Sequence, residues 1–386
     1  MPLLPAERLR RAVAPALVLL AATIGCREAR VTARAANAPG PAAQPTPEAR
    51  AKLLACLGAP AGALYQPERL AAPPAPGLGV FTFEQATDRC GSVARRYVAY
   101  VPPALGARTP APVVLVLHGQ GASAEAMMTF QTRGTFNRLA DENGFVVVYG
   151  NGLPTSYDIA GLPNSGRWRS EYTELGATVD EIAYLQHIVD DLRARAVIAG
   201  GNDVYLVGQS NGGGMALSAA RRRPDTYAGV AAFMPFAGFS PTAPESLVGR
   251  RLRRVMFAYS LADPALPPSY AGDVLAPLAR GWARALGISD RDIDAPSETA
   301  LADVVKEGDG QNLTSDDDVV RATRDSTVRR IDLRSGSSAL RQLVFDHAGH
   351  FWPTRVYADP APLVAEFGLR NQDVEAAEEA WKFFRQ

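Results

Sequence analysis

From Arg95 onward, short β-branched runs alternate with stretches whose apolar residues recur at helical spacing. The runs are Val113–Leu117, Phe145–Tyr149, Val204–Val207, Val255–Tyr259 and Leu343–Phe345. Each is continuously apolar rather than alternating, the pattern of strands covered on both faces. Within Val179–Ala196, the positions Ile182, Leu185, Val189 and Leu192 fall on one helical face. Met215–Ala220 opens another helical stretch, and Asp373–Phe384 reads as the last helix of the layer. Strands separated by helices predict an α/β domain with a mostly parallel sheet and helices on both faces.

The N-terminal part has a different pattern. Arg8, Arg10 and Arg11 precede an apolar run, Ala12–Gly25. That layout is a secretory signal, too short to span a bilayer as a mature helix of about 20 residues. The ending Thr23-Ile24-Gly25-Cys26 resembles the signal of bacterial lipoproteins. The resemblance implies that Cys26 takes a diacylglycerol and becomes the first mature residue, although Thr23 stands where a leucine-like residue is usual. The expected location is extracytoplasmic: lipid-anchored to a bacterial membrane, or periplasmic or secreted if Cys26 is not lipidated. Residues 27–50, rich in Ala, Pro and Arg, read as a tether, and 51–386 as one catalytic domain. Pro-rich Ala71–Gly79 reads as loop.

Composition narrows the partners. Of 386 residues, 47% are hydrophobic and 21% charged, which is enough apolar matter for a large soluble core. Forty basic and 40 acidic side chains cancel, leaving no excess positive charge for a nucleic acid or an anionic membrane. Membrane contact is therefore expected only through the N-terminal anchor. Arg221-Arg222-Arg223, stopped by Pro224, reads as a helix C-terminus. With Cys26 set aside, Cys56 and Cys90 remain, an even pair that predicts a disulfide in an exported chain.

The sharpest chemical signal is Gly208-Gln209-Ser210-Asn211-Gly212, directly after the strand Val204–Val207 and directly before a helix. G-x-S-x-G in that setting is a strained turn that lifts the serine hydroxyl above the sheet, with glycines where side chains would collide. Outside it, the same residues would be an ordinary glycine-rich turn. A serine nucleophile needs a base beside it, and the chain has 4 histidines. His187 falls inside a helix. His118 heads His118-Gly119-Gln120-Gly121, an HG-type loop whose N–H groups complete an oxyanion hole. His350 follows the last strand, where the base belongs in the order serine, acid, histidine. His347 is its close competitor, and Asp346, His347 and His350 together leave a zinc reading open, with no further ligand cluster in view. Asp263, in the loop after Val255–Tyr259, is the candidate acid; Asp273 and Asp316-Asp317-Asp318 read as solvated loop charges.

These pieces resemble the bacterial and fungal esterases grouped as polyhydroxybutyrate depolymerase-like and as feruloyl or acetylxylan esterases, of the α/β-hydrolase superfamily. Matching segments include Arg96–Pro102, His118–Gly121, Gly144–Tyr149, Val179-Asp180-Glu181, Gly208–Gly213, Ala262-Asp263-Pro264 and Gly349–Pro353, in family order. The resemblance implies the α/β-hydrolase fold and a triad of Ser210, Asp263 and His350. It also implies an oxyanion hole from the N–H groups of Gln120 and Asn211, and no metal or organic cofactor. Trp168, Phe236, Phe351 and Trp352 are candidates for the walls of an acyl or aryl pocket, with sheet-edge packing as the other reading. Three departures stand out. Tyr259-Ser260 replaces the family's His-Gly, Glu181 replaces the second Asp of its Val-Asp-Asp, and the polar, acidic stretch 287–325 is long enough to cover a pocket. The expected function is hydrolysis of a small-molecule, polysaccharide-linked or polyester ester through an acyl-enzyme. A serine peptidase of the same fold and a catalytically silent ligand-binding lipoprotein are the alternatives.

Overall fold

A computed structural model of the chain describes residues 46–60, 62–68, 77–105, 110–154, 161–169, 179–195, 197, 203–239, 242–301, 326–355, 359 and 361–386. The expected signal, Cys26 and residues 27–45 of the tether lie outside the described residues, as do Asp316-Asp317-Asp318.

Among the described residues, ten strands form one sheet. They are β1 (Leu78–Ala86), β2 (Ser92–Tyr100), β3 (Val113–Leu117), β4 (Val146–Gly150), β5 (Val204–Gln209), β6 (Gly229–Phe233), β7 (Arg254–Ser260), β8 (Ser297–Ala300), β9 (Val328–Ser335) and β10 (Ser338–Phe345). Their order is β1-β2-β4-β3-β5-β6-β7-β10-β9-β8. From β4 through β10 neighbouring strands run parallel, while the β1-β2 hairpin on one edge and β9-β8 on the other pair antiparallel. This mostly parallel sheet with helices on both faces is the α/β-hydrolase fold.

The continuously apolar strands feed two cores. Val113, Leu115 and Leu117 point into one layer, while Val114 and Val116 point into the other. The helices Glu181–Ala194, Asn211–Arg222 and Ala276–Ala285 cover the first face. Thr135–Asn143 and Ala376–Phe384 cover the second. Burial of alternate residues on opposite faces is why these runs read as unbroken hydrophobic blocks.

Several boundaries differ from the sequence reading. The helix expected from Val179 begins at Glu181, because the Asp180 side chain accepts the Ile182 and Ala183 N–H groups and so caps it. The last helix starts at Ala376 rather than Asp373. The tether boundary at 50/51 falls inside a helix, Pro47–Cys56, which Thr46 caps and Pro47 opens. Leu78 and Gly79, read as loop, begin β1. Residues 287–301 do not form a cover: they make the short helix Asp290–Asp294 and edge strand β8, which extends the sheet through β9. Residues 302–325 lie outside the described residues.

Glu181 has a structural reason to be longer than aspartate. Its carboxylate reaches Arg95 on β2 at 2.8 Å, with both side chains fully buried. The Arg95 guanidinium also lies over the Tyr184 ring at 3.8 Å and donates to the Asn151 carbonyl. Cys56 and Cys90 are joined as a disulfide, tying the first helix to the β1-β2 hairpin.

Candidate active site

Ser210 stands at the tight turn between β5 and the helix Asn211–Arg222, with φ of 53°. A non-glycine residue in that region is strained, and the surroundings enforce it. Ser210 N–H donates to the Phe233 carbonyl at 2.8 Å, and the Ser210 carbonyl accepts from Gly214 and Phe236. A side chain at Gly208 would come within 2.2 Å of the Gly212 carbonyl oxygen, and one at Gly212 within 2.4 Å of the His118 carbonyl oxygen. Both glycines of the motif are thus required by close backbone approach. The same approach seats the loop after β3 directly beside the serine.

The loop after β10 brings His350 to Ser210, with Nε2 at 2.8 Å from the serine Oγ. On its other side, Nδ1 lies 2.6 Å from Oδ2 of Asp263 in the loop after β7. Asp263 and His350 are 8% and 9% exposed, whereas Ser210 is half-buried and opens to solvent. An imidazole held between a buried carboxylate and a hydroxyl can take the hydroxyl proton while the carboxylate steadies the resulting charge. Each side chain stands at the C-terminal end of a parallel strand, where open α/β sheets place their sites.

The histidine is fixed by more than its ring. Its N–H donates to the Phe367 carbonyl at 2.7 Å, and its carbonyl accepts from Gln209 Nε2 at 3.0 Å. Gln209, the x position before the serine in the motif, therefore ties the two loops together; residue type and spacing carry no sign of that role. Arg370 supports the loop from behind. It pairs with Asp359 at 2.8 Å, donates to the Trp352 carbonyl at 2.7 Å and lies 5.0 Å from the Phe351 ring centre. Asp263 has its second oxygen occupied by the Ala265 N–H at 2.9 Å. At the departure Tyr259-Ser260, Tyr259 donates to Gln342 on β10, and the Ser260 hydroxyl accepts from the Ala262 N–H within the turn that delivers Asp263.

His118 does not face the serine. It is fully buried, and burial lowers its pKa to about 4. Gly152 N–H donates to Nε2 at 2.9 Å, so in the neutral ring the proton sits on Nδ1 and donates to the Gly119 carbonyl at 2.7 Å. Asn211 is the first residue of its helix, so its N–H has no partner within that helix. Gln120 lies in the loop that Gly119 presses against Ser210. His187 is exposed on its helix and stacks on Phe83, and Asp346 accepts two bonds from Thr327.

The four aromatic candidates divide. Trp168 and Trp352 are fully buried and Phe351 is 4% exposed, so none of these is an open pocket wall. Trp168 is a clasp: its backbone exchanges two hydrogen bonds with the Asn211 side chain, and its indole N–H donates to the His118 carbonyl. Trp352 packs between Phe136 and Phe233. Phe236 alone remains half-buried, its N–H on the Ser210 carbonyl and its ring parallel to Tyr270. The difference arises because an aromatic in a loop lies on the surface or beneath it according to tertiary packing, which residue type does not reveal.

Residues 95–243 match the family described as Esterase PHB depolymerase. Among curated proteins the chain is similar to NocK of Nocardia uniformis subsp. tsuyamanensis, an esterase by name, at 32% identity over 157 residues. The match takes in 40% of this chain and 41% of NocK, so the chain spans about two fifths of that relative's length. Among solved structures, an acetyl xylan esterase from Aspergillus awamori has a TM-score of 0.45 at 15% identity, covering 71% of this chain and 94% of that one. A ferulic acid esterase from Anaeromyces mucronatus has a TM-score of 0.38 at 18% identity, covering 54% and 78%.

Proposed function

We propose that this chain, whose residues 95–243 match the esterase family described as PHB depolymerase, is an exported serine carboxylic-ester hydrolase. One observation carries the reading: a half-exposed Ser210 in a strained turn, 2.8 Å from an imidazole whose other nitrogen rests on a buried carboxylate. In the first step, His350 Nε2 takes the Ser210 proton while Oγ attacks the ester carbonyl. Asp263 holds the imidazole in the required tautomer and stabilises the imidazolium. The N–H groups of Gln120 and Asn211 receive the negative oxygen of the tetrahedral intermediate. His350 then returns the proton to the departing alcohol, leaving an acyl group on Ser210. Water, deprotonated by the same imidazole, repeats the addition; collapse breaks the acyl–Oγ bond and releases the carboxylic acid as His350 returns the proton to Ser210 Oγ.

The family supports carboxylic esters of the hydroxyalkanoate, acetyl or feruloyl type as substrates. Phe236, half-buried beside the serine, is positioned to meet the acyl or aryl group. Export is supported by the basic-then-apolar N-terminus and by the disulfide, a bond of oxidising compartments. Cys26 is the proposed lipid site.

A fluorophosphonate probe tests the core of this reading. The chain should be labelled stoichiometrically on Ser210, and Ser210→Ala should not react; labelling elsewhere, or none, defeats it. A panel of acetyl, feruloyl, short-acyl and polymeric esters ranks the substrates. Mass spectrometry of the mature N-terminus should find diacylglycerol on Cys26, and an unmodified residue downstream of it would remove the anchor.

A further inference from the structure

The neutral total charge conceals an uneven distribution. Ser210, Asp263 and His350 stand where parallel strands end; arginines gather where those strands begin. Arg254, the first residue of β7, lies in register between Gly229 of β6 and Ala339 of β10. Arg253 precedes it, and Arg334 pairs across from Ala339 on β9. Leu252 N–H donates to the Pro224 carbonyl at 2.9 Å, which draws the helix end carrying Arg222 and Arg223 to the same rim, next to Arg250. Arg222, Arg223, Arg250, Arg253 and Arg334 are exposed.

Elsewhere many guanidinium groups are matched to carboxylates, as in Arg138 with Glu142, Arg280 with Asp294 and Arg370 with Asp359. On this rim Asp225 neutralises Arg250, and Asp203 neutralises Arg251. Arg253, Arg254 and Arg334 instead donate to uncharged oxygens: the Ser337 hydroxyl, the Ser337 carbonyl and the Gln386 side-chain amide. Among the described residues none of the three has a carboxylate partner. Burial, and then Arg334 and Arg253, push the Arg254 guanidinium below its usual pKa. A cluster of this kind is self-repelling until an external anion joins it, and guanidinium forks suit phosphate oxygens.

We propose that the rim formed by Arg222, Arg223, Arg253, Arg254 and Arg334 docks on an anionic phospholipid surface, with Ser210 facing away from it. The choice of lipid rests on the proposed export: residues 27–45 alone separate the expected anchor at Cys26 from Thr46, so the domain stays close to the bilayer. The 7 residues of β7 place the rim about 20 Å from the serine end. A domain seated on this rim presents its site to substrates arriving from the aqueous side.

The test uses the full chain with Cys26→Ser, so that no acyl chain contributes. Co-sedimentation is measured with phosphatidylcholine vesicles, with and without phosphatidylglycerol, at low and high salt. Binding should require phosphatidylglycerol and fall with salt. Arg253→Gln/Arg254→Gln/Arg334→Gln should lower partitioning on the order of 100-fold, with Arg222→Gln/Arg223→Gln as a second variant away from the strand start. Turnover of a soluble ester, measured separately, should stay at the parent value in both variants. Equal binding to neutral vesicles, or unchanged binding by both variants, overturns the proposal. So does retention on an acidic polysaccharide with no vesicle binding. A protein that binds vesicles but hydrolyses no ester would refute the esterase reading and leave this one standing.

Discussion

His118 Nδ1 lies 2.7 Å from the carbonyl oxygen of Gly119, and this contact fixes a peptide plane beside the serine. The Gly119 carbonyl and the Gln120 N–H belong to the same planar unit and point in opposite directions. Holding one aims the other. Gly152 N–H secures the ring from behind, and the Trp168 indole holds the His118 carbonyl. His118→Gln should therefore lower kcat by roughly 10- to 100-fold with KM little changed, the mark of an interaction made in the transition state.

The same histidine makes stability depend on pH. Its folded pKa of about 4 lies below the ordinary 6.5, so the neutral form belongs to the folded state. Its contribution is fully present above pH 6.5 and is lost as pH falls toward 4, amounting to about 3 kcal/mol for a shift of that size. Urea denaturation at pH 7 and pH 4 should show a steeper loss for the parent than for His118→Gln. Parallel losses would mean other groups govern the acid limb.

Ser210 and His350 should behave as one unit. Each alanine variant should lose turnover on the order of 10⁶-fold, and the double variant should be hardly worse, because the second removal deletes an interaction already lost. His347→Ala is the control and should retain most activity. Asp263→Asn should cut kcat by about 10⁴ without unfolding the chain. Additive losses in the double variant, or an essential His347, would reassign the base.

The disulfide should matter to the site as well as to the fold. Leu57, next to Cys56, offers its carbonyl to Arg169, which also holds the Pro154 carbonyl and adjoins Trp168. Opening a loop of 34 positions should cost about 3–4 kcal/mol. Cys56→Ser/Cys90→Ser should melt earlier and lose ester turnover before global unfolding. Coincident loss of activity and fold would show that the link to Trp168 is not separable.

Glu181→Gln should destabilise by about 3–5 kcal/mol, because it leaves the buried Arg95 guanidinium without its countercharge. Glu181→Asp should be nearly as harmful if reach is what selects glutamate. A chemical denaturation midpoint close to the parent for both variants would remove that explanation.

By itself the sequence determined the elements in which local pattern and burial agree. Val113–Leu117 and the turn around Ser210 are legible because an apolar run covered on both faces, and glycines demanded by backbone approach, each leave a residue-level trace. His350 and Asp263 were legible through chain order and loop position. Edge strands such as β8 were not, since an exposed strand like Ser297–Ala300 carries no apolar pattern. Only the tertiary structure decided which loop aromatics are walls and which are clasps, as with Trp168, whose partners lie 50 and 43 positions away. It also decided where charge accumulates. A count of 40 against 40 describes the whole chain, but folding brings Arg223, Arg253 and Arg334 from separate segments to one end of the sheet. Long-range proximity is created by packing and strand register, and neither is written in any single stretch of residues.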